Sequence, residues 1–278
     1  MKTIIAAFDA LKFSNSTKGY SIYFANISKA HLTGVFLDDF SYTSYKLYEL
    51  VEEDGRFVKK LNELDKEDLE TRKHSAKIFE DACKKEDISY SIHHDRHFAI
   101  KELIHETIYN DLLVIHSVET LTHYQEKLPT NFIQHTLAKT HCPVIVVPDK
   151  FKPVEKIIFL YDGTPSSVYA IKMFSNIFHS FKHLPVETLS VNTSNQSPHL
   201  PDNKLMREFM TRRFPKASYT ILKGEPSSEI RSYLNTQYEN LFVVLGAYSR
   251  GGLSRLIDES MADVLMKNLR APLFIAHN

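Results

Sequence analysis

The chain repeats one pattern of apolar runs and turns, and this repeat restricts its possible folds more than any other feature. An apolar run ending in aspartate at residues 4–9 is followed by a polar turn and a helical pattern, and residues 157–162 begin the same pattern again. The stretches 111–115 and 143–147 return in the same way as 240–244 and 272–276. Internal similarity of this kind indicates tandem copies of one structural unit.

The spacing of the copies predicts an insertion in the first. The two later pairs of stretches share an offset of 129 residues and align without a gap, whereas Asp9 and Asp162 lie 153 residues apart, so the first copy carries about 24 extra residues. The tyrosine-rich and charged stretch at 40–66 is the expected site. Proline and polar residues near position 150 mark the boundary, which gives predicted domains of residues 1–150 and 151–278.

The apolar runs also predict the fold class. Residues 112–115 and 144–147 are continuously apolar and rich in β-branched side chains, as in strands that helices cover on both faces. Amphipathic helical patterns alternate with these runs. We therefore predict an α/β fold with two doubly wound, mainly parallel sheets of five strands each.

Charge and cysteine content exclude several kinds of partner. Lysine plus arginine equals aspartate plus glutamate at 34 each, so no field of one sign would attract nucleic acid or an anionic membrane. No run approaches the roughly 20 apolar residues of a membrane-spanning helix. Two cysteines are too few for a disulfide framework, and we expect a protein of the reducing cytoplasm.

The sequence shows no strong signature of a metal site or of catalysis. His93, Asp95 and His97 form the densest group of metal-ligand types, but residues on one face of a strand do not converge, and we interpret them as a surface cluster without metal. The chain has no G-x-S-x-G, G-x-x-x-x-G-K-S/T or H-E-x-x-H motif. This absence argues against an enzyme.

The second copy adds more specific stretches, GEPSSEI at 224–230 and LGAYSRGGLSRL at 245–256. Together with the strands that end in aspartate, they resemble the universal stress protein family over nearly the whole chain. The resemblance implies an adenine nucleotide alpha hydrolase-like fold in a stress-response protein. It also implies an intramolecular pair of domains, whose final strands meet across a pseudo-twofold axis and which replaces the usual homodimer. A further dimer of the whole chain is left open.

Family members that bind ATP carry G-x-x-G-x9-G-S/T after the fourth strand, because small residues let backbone N–H groups approach phosphates. Here the pattern falls on Gly246, Ser249, Glu259 and Ser260, so two of its three glycines are replaced. A carboxylate at Glu259 would repel phosphate unless Arg250, Arg255 or a divalent metal such as Mg²⁺ offsets it. The nucleotide-binding residues that the resemblance implies are Asp162, Val191, Leu245, Gly246, Ser249, Arg250, Gly252, Glu259, Ser260 and Met261.

The first copy departs further from the pattern. The gap-free alignment places Ser117, Thr120, Thr130 and Asn131 at the four motif positions, with no glycine among them. Asp9 corresponds to Asp162, which resembles the position that contacts adenine, although either aspartate could instead cap the helix that follows it. We expect no nucleotide beside Asp9.

Two functions remain as hypotheses. The first is a stress-response binding protein that holds ATP, ADP or AMP in its second domain, with at most weak ATP hydrolysis and no assigned catalytic residue. The second is a scaffold with two decayed pockets that acts through another small ligand or through an unidentified protein partner, with 40–66 as its contact surface. Glu259 and the altered loop of the first copy favour the second hypothesis.

Overall fold

In a computed structural model of the protein, the described residues are 1–38, 42–43, 57–95, 99–193, 199–237, 240–247, 260–268 and 270–277. Within these ranges the chain forms ten strands and eight α-helices. The first half contains β1 (Thr3–Asp9), α1 (Asn15–Ser28), β2 (His31–Leu37), α2 (Phe57–Lys85), β3 (Tyr90–Asp95), α3 (Ala99–Glu106), β4 (Leu112–His116), α4 (Asn131–Lys139) and β5 (Val144–Val147). The second half contains β6 (Lys156–Leu160), α5 (Pro165–Ile177), a short 3₁₀ segment (His179–His183), β7 (Val186–Asn192), α6 (Asn203–Arg213), β8 (Ser218–Lys223), α7 (Pro226–Thr236), β9 (Leu241–Gly246), α8 (Met261–Met266) and β10 (Leu273–Ala276).

All ten strands belong to one sheet, in the order β3-β2-β1-β4-β5-β10-β9-β6-β7-β8. The five strands of each half are parallel to one another, and the halves join where β5 and β10 pair antiparallel, with Phe274 opposite Ile145. The α/β class and the meeting of the final strands are confirmed. The two predicted five-stranded sheets are joined into one, because each final strand supplies the hydrogen-bonding partner that the edge of the other would lack.

The two halves share a hydrophobic core as well as a sheet. Helix α1 is capped by Ser14, whose side chain accepts a hydrogen bond from the Thr17 N–H, and the helix buries Phe24 completely. The Phe24 ring stacks on Phe242 at 5.1 Å and lies 5.2 Å from Phe178, both in the second half. Aromatic packing therefore connects α1 to strands and helices of the other copy.

The predicted insertion lies partly within a long helix. Residues 57–66 form the first turns of α2, which is 29 residues long, whereas α6 between the corresponding strands of the second half has 11. Residues 40–41 and 44–56 of the insertion lie outside the described residues. The domain boundaries at 150 and 151 remain a prediction.

The remaining features of the sequence take ordinary structural places. Strand β3 is an edge strand, and on it His93 Nδ1 lies 2.6 Å from Glu106 Oε1, while His97 is outside the described ranges. Cys83 and Cys142 are buried free thiols, and burial raises the pKa of each to about 12. Among the described helices, none combines the length and the apolar character needed to cross a bilayer.

Candidate functional site

The order of the strands creates one crevice in each half. Strand β6 lies between β9 and β7, and β1 lies between β4 and β2, so connections leave the central strand in opposite directions. In open α/β sheets, ligands bind outside the carboxyl ends of the strands at such a switch point. The candidate sites are therefore the crevice at β6 and β9 and its equivalent at β1 and β4.

Backbone hydrogen bonds correct the alignment of the two copies. The Leu113 N–H donates to the Pro143 carbonyl at 3.0 Å, and the Val243 N–H donates to the Pro272 carbonyl at 3.1 Å. These pairs put β5 and β10 129 residues apart, as predicted, but β4 and β9 130 residues apart. The gap-free alignment is therefore wrong by one residue at the fourth strand.

The helix caps show the same displacement. Thr130 is the N-cap of α4 and Ser260 is the N-cap of α8. By position in the fold, His116 therefore corresponds to Gly246, and the same offset of 130 residues aligns Glu119 with Ser249 in the sequence. Ser117, Thr120 and Asn131 are not the equivalents of motif residues, and the first half carries its extra residue between Thr130 and β5.

Asp162 follows β6 and is exposed to solvent at the crevice of the second half. Its Oδ1 accepts hydrogen bonds from the Thr164 backbone N–H at 2.9 Å and from the Thr164 hydroxyl at 2.7 Å. The same hydroxyl caps α5 by accepting from the Ser167 N–H at 3.3 Å. Asp162 therefore organises the turn into α5, and it stays accessible at the same time.

Gly246 lies at the end of β9, directly against the first turn of α5. A Cβ at this position would lie 2.4 Å from the carbonyl carbon of Ser166 and 2.6 Å from the Ser167 nitrogen. Both are backbone atoms, which cannot move aside without shifting the helix. Close packing of α5 on β9 therefore requires glycine here, whether or not a phosphate binds.

The other predicted residues of this half are distributed around the same end of the sheet. Val191 is half-buried near the end of β7, and Leu245 is buried in the core. The Ser260 hydroxyl accepts from the Asp263 N–H at 3.2 Å, and Met261 is the first residue of α8. Ser249, Arg250, Gly252 and Glu259 lie outside the described residues.

The equivalent aspartate of the first half is closed off. Asp9 has only 2% of its surface exposed, and its Oδ1 accepts from the backbone N–H groups of Leu11 at 2.8 Å and Lys12 at 3.1 Å. Asp9 is thus used as a turn-forming residue, which is the structural alternative that the sequence left open.

Two further side chains fill the crevice around Asp9. Glu119 is 7% exposed, and burial, together with the negative charge of Asp9, raises the pKa of Glu119 to about 7. Tyr42 is 4% exposed, and burial together with the same aspartate raises its pKa. The Lys12 ammonium lies 5.3 Å from the centre of the Tyr42 ring. Neither residue was expected from the sequence. The displaced alignment put Thr120 in the place of Glu119, and no motif pointed to Tyr42.

The amino end of α4 is also occupied by the chain itself. The Thr130 hydroxyl accepts from the Ile133 N–H at 3.2 Å and donates to the Glu119 carbonyl at 2.5 Å. The Asn131 N–H donates to the Glu126 carboxylate at 2.7 Å. A carboxylate of the protein thus takes a position at which a helix end could otherwise hold an external anion.

No protein-family model and no curated protein sequence matches the chain. Solved structures do match, although their sequence identity is low. A universal stress protein from Archaeoglobus fulgidus DSM 4304 is 13% identical and superposes with a TM-score of 0.66 over 99% of this chain and 98% of its own. A protein of unknown function from Pseudomonas aeruginosa PAO1 is also 13% identical, with a TM-score of 0.59 over 100% of this chain and 92% of its own. The chain has the universal stress protein fold in its tandem, two-domain form.

Proposed function

We propose that the protein is a stress-response binding protein that holds an adenine nucleotide in its second half, in the crevice outside β6, β7 and β9. The observation that carries this proposal is the contrast between two equivalent aspartates. Asp162 is exposed at its strand end, whereas Asp9 is 2% exposed and covered by the protein's own side chains. One crevice per chain is thus left with an accessible carboxylate.

The groups at this crevice suit an adenine base. A carboxylate oxygen can accept a hydrogen bond from the exocyclic amine of adenine, and Asp162 presents such an oxygen to solvent. Val191, half-buried at the end of the neighbouring strand, offers an apolar wall for the ring. In this proposal the base lies near Asp162 and the phosphates extend towards Ser260 and the loop before it.

The phosphate end of the site depends on residues 248–259, which include Ser249, Arg250, Gly252 and Glu259. We propose that Arg250 and Mg²⁺ offset the charge of Glu259 when a nucleotide with several phosphates binds. We assign no catalytic residue, and any ATP hydrolysis is expected to be weak.

The stress-response role is supported by the shared fold. The Archaeoglobus structure that matches nearly the whole chain is itself a universal stress protein. At 13% identity this likeness does not extend to a ligand, so the choice of an adenine nucleotide is supported by the site residues and by the resemblance of their motif.

Equilibrium dialysis tests the proposal. Purified protein freed of bound nucleotide would be dialysed against ATP, ADP and AMP up to millimolar concentration, with and without Mg²⁺. We expect saturable retention of one nucleotide per chain. If none of the three is retained under either condition, the proposal is wrong.

One observation favours the scaffold as a second candidate. Gly246 is needed for the packing of α5, so its presence alone does not indicate a phosphate site. A scaffold would retain its partners without nucleotide, through the 40–66 surface. The test is to compare the proteins that co-purify with the full chain and with a chain lacking residues 44–56. Equal recovery of every co-purifying protein would contradict the scaffold.

A further inference from the structure

A cavity of about 490 Å³ lies at the boundary between the halves, away from both crevices. Its wall includes Lys152 from the segment between β5 and β6, Arg231 and Leu234 from α7, Val264 from α8, and Arg270 and Leu273 at the start of β10. This volume is within the range of natural small-molecule sites. The cavity is therefore large enough for a ligand of modest size.

The cavity is separate from the proposed nucleotide site. Leu241 at the amino end of β9 contributes to its wall, whereas Gly246 at the carboxyl end of the same strand borders the crevice. Val243 is the lining residue of β9 nearest to Gly246, and three residues of extended strand separate the two by roughly 10 Å, at about 3.3 Å per residue. A ligand in one site would not fill the other.

Three cations surround the cavity, and among the residues that the structure describes no carboxylate lines it. Lys152, Arg231 and Arg270 are exposed, and none of them forms an ion pair with any residue that the structure describes. The Glu155 carboxylate lies close by and accepts from the Asn240 N–H at 2.9 Å. The described part of the cavity wall therefore carries positive charge, although the whole chain is neutral.

Among the described residues, one carboxylate lies in a neighbouring cavity, where it contacts a histidine. A smaller cavity of about 300 Å³ shares Asn268 and Arg270 with the larger one and is also lined by Asp149. Asp149 Oδ1 lies 3.1 Å from His116 Nε2. Arg231 and Lys152 line only the larger cavity, where no carboxylate of the described residues lines the wall beside them.

Between the cations the wall contains both apolar and uncharged polar groups. Leu234, Leu265 and Leu273 line the cavity together with the side-chain amides of Asn235 and Asn268. Arginine pairs with carboxylate, sulfonate and phosphate groups through two parallel hydrogen bonds. The leucines would take the apolar part of the same molecule out of water. We propose that this cavity is a second binding site, for an organic anion that joins an apolar body to a carboxylate, sulfonate or phosphate group.

Two fluorescent probes of similar shape test the charge requirement. 8-Anilinonaphthalene-1-sulfonate carries the anion, and N-phenyl-1-naphthylamine has the same aromatic body without it. We expect saturable binding of the sulfonate to the wild-type chain. The double variant Arg231→Gln with Arg270→Gln should bind it at least about tenfold more weakly and should bind the neutral probe as the wild type does.

Matched variants separate this result from a general effect of charge. Arg212→Gln with Lys216→Gln removes two exposed cations elsewhere, and it should leave the sulfonate affinity unchanged. Asn235→Glu places a carboxylate at an exposed helical position of the cavity wall, so it should weaken sulfonate binding in a chain that still folds. Asp162→Asn should have no effect, which distinguishes this site from the nucleotide crevice.

Three outcomes would overturn the proposal. The first is that the wild type shows no saturable binding of the sulfonate. The second is that the double variant and Asn235→Glu bind the sulfonate as the wild type does. The third is that these variants bind both probes equally more weakly than the wild type does, since the sulfonate group would then contribute nothing to the affinity.

Discussion

Lys156 Nζ lies 2.9 Å from Glu187 Oε2, and only 17% and 4% of these side chains are exposed. The Glu187 carboxylate also accepts hydrogen bonds from the Thr220 hydroxyl and, at 2.5 Å, from the Tyr233 hydroxyl. Burial alone would raise the pKa of Glu187, but these hydrogen bonds and the lysine more than offset it, so the pKa is lowered. The second half therefore contains a buried ionised carboxylate that depends on its partners.

Removing the Lys156 ammonium group should destabilise the folded protein. Lys156→Met leaves the buried carboxylate without its counter-ion, and we expect a loss of about 3 kcal/mol in the free energy of unfolding, measured by urea denaturation at pH 7. Adding Glu187→Gln should recover part of this loss, because the amide oxygen still accepts from Thr220 and Tyr233. Lys59→Met breaks the exposed pair with Glu63 and should cost less than about 0.5 kcal/mol. If Lys156→Met and Lys59→Met reduced the free energy of unfolding equally, burial of the Lys156–Glu187 pair would not matter for stability.

Glu119 should make stability depend on pH in the direction opposite to a paired carboxylate. Its pKa is raised from the ordinary 4.5 to about 7, so the folded chain holds a proton that the unfolded chain has lost between these values. The free energy of unfolding therefore falls as the pH rises from about 4.5 to about 7.

Glu119→Gln removes this penalty and retains a side-chain oxygen as acceptor. The variant should gain stability over the wild type between pH 5 and pH 8, by an amount on the order of 3 kcal/mol. Urea denaturation at both pH values measures it, with the exposed Glu63→Gln as control. A difference that does not change with pH would contradict the assignment.

The two aspartates should differ in their effect on nucleotide binding. Asp162→Asn keeps the Oδ1 that accepts from Thr164 but loses the charge and one acceptor, so we expect about tenfold weaker ATP binding in equilibrium dialysis. Asp9→Asn should leave ATP binding unchanged, because Asp9 is buried against its own turn. If Asp9→Asn weakens binding as much as Asp162→Asn, the nucleotide is not confined to the second half.

Gly246→Ala should destabilise the protein in the absence of any ligand. The added methyl group would meet the backbone of Ser166, and we expect a loss of about 2 kcal/mol in the free energy of unfolding. Gly19→Ala is the comparison, because its nearest atoms belong to the Phe151 side chain, which is 39% exposed and can move. A Gly246→Ala chain of wild-type stability that fails to bind ATP would instead assign this glycine to the phosphates.

Phe24→Ala should weaken both halves together. The ring packs on Phe178 and Phe242 across the two copies, and its removal should cost about 4 kcal/mol. We expect one transition that far-ultraviolet circular dichroism and tyrosine fluorescence report at the same urea concentration. Two separate transitions in the wild-type chain would show that the halves unfold independently.

The central strands could be predicted because a buried parallel strand leaves a continuous apolar run in the sequence, whereas the meeting of the final strands was expected from the family resemblance. The uniformly apolar character of these runs also made the alignment error possible. Residues 112–115 and 241–244 are all apolar, so a shift of one residue costs nothing in hydrophobic similarity. The hydrogen bonds from Leu113 and Val243 and the helix caps Thr130 and Ser260 distinguish the two registers.

The closure of the first crevice could not be predicted for a different reason. Tyr42 and Glu119 are distant in sequence, and each is polar and lies in a segment without helical or strand periodicity. Their burial arises from tertiary contacts with the turn around Asp9, which no local pattern records. Gly246 shows a different limit of sequence-based prediction. One glycine can match a binding motif and also be required for packing, and the sequence does not distinguish the two.

The antiparallel joint between β5 and β10 has a consequence for stoichiometry. Two identical subunits joined in this way would necessarily have two identical sites. Dilution could also dissociate such a pair of subunits. Here both partners belong to one polypeptide, so the joint persists at any concentration and each copy can change alone. A fused pair with one crevice filled by its own tyrosine and glutamate would respond to nucleotide as a simple one-to-one binder, without the cooperativity that twin sites permit.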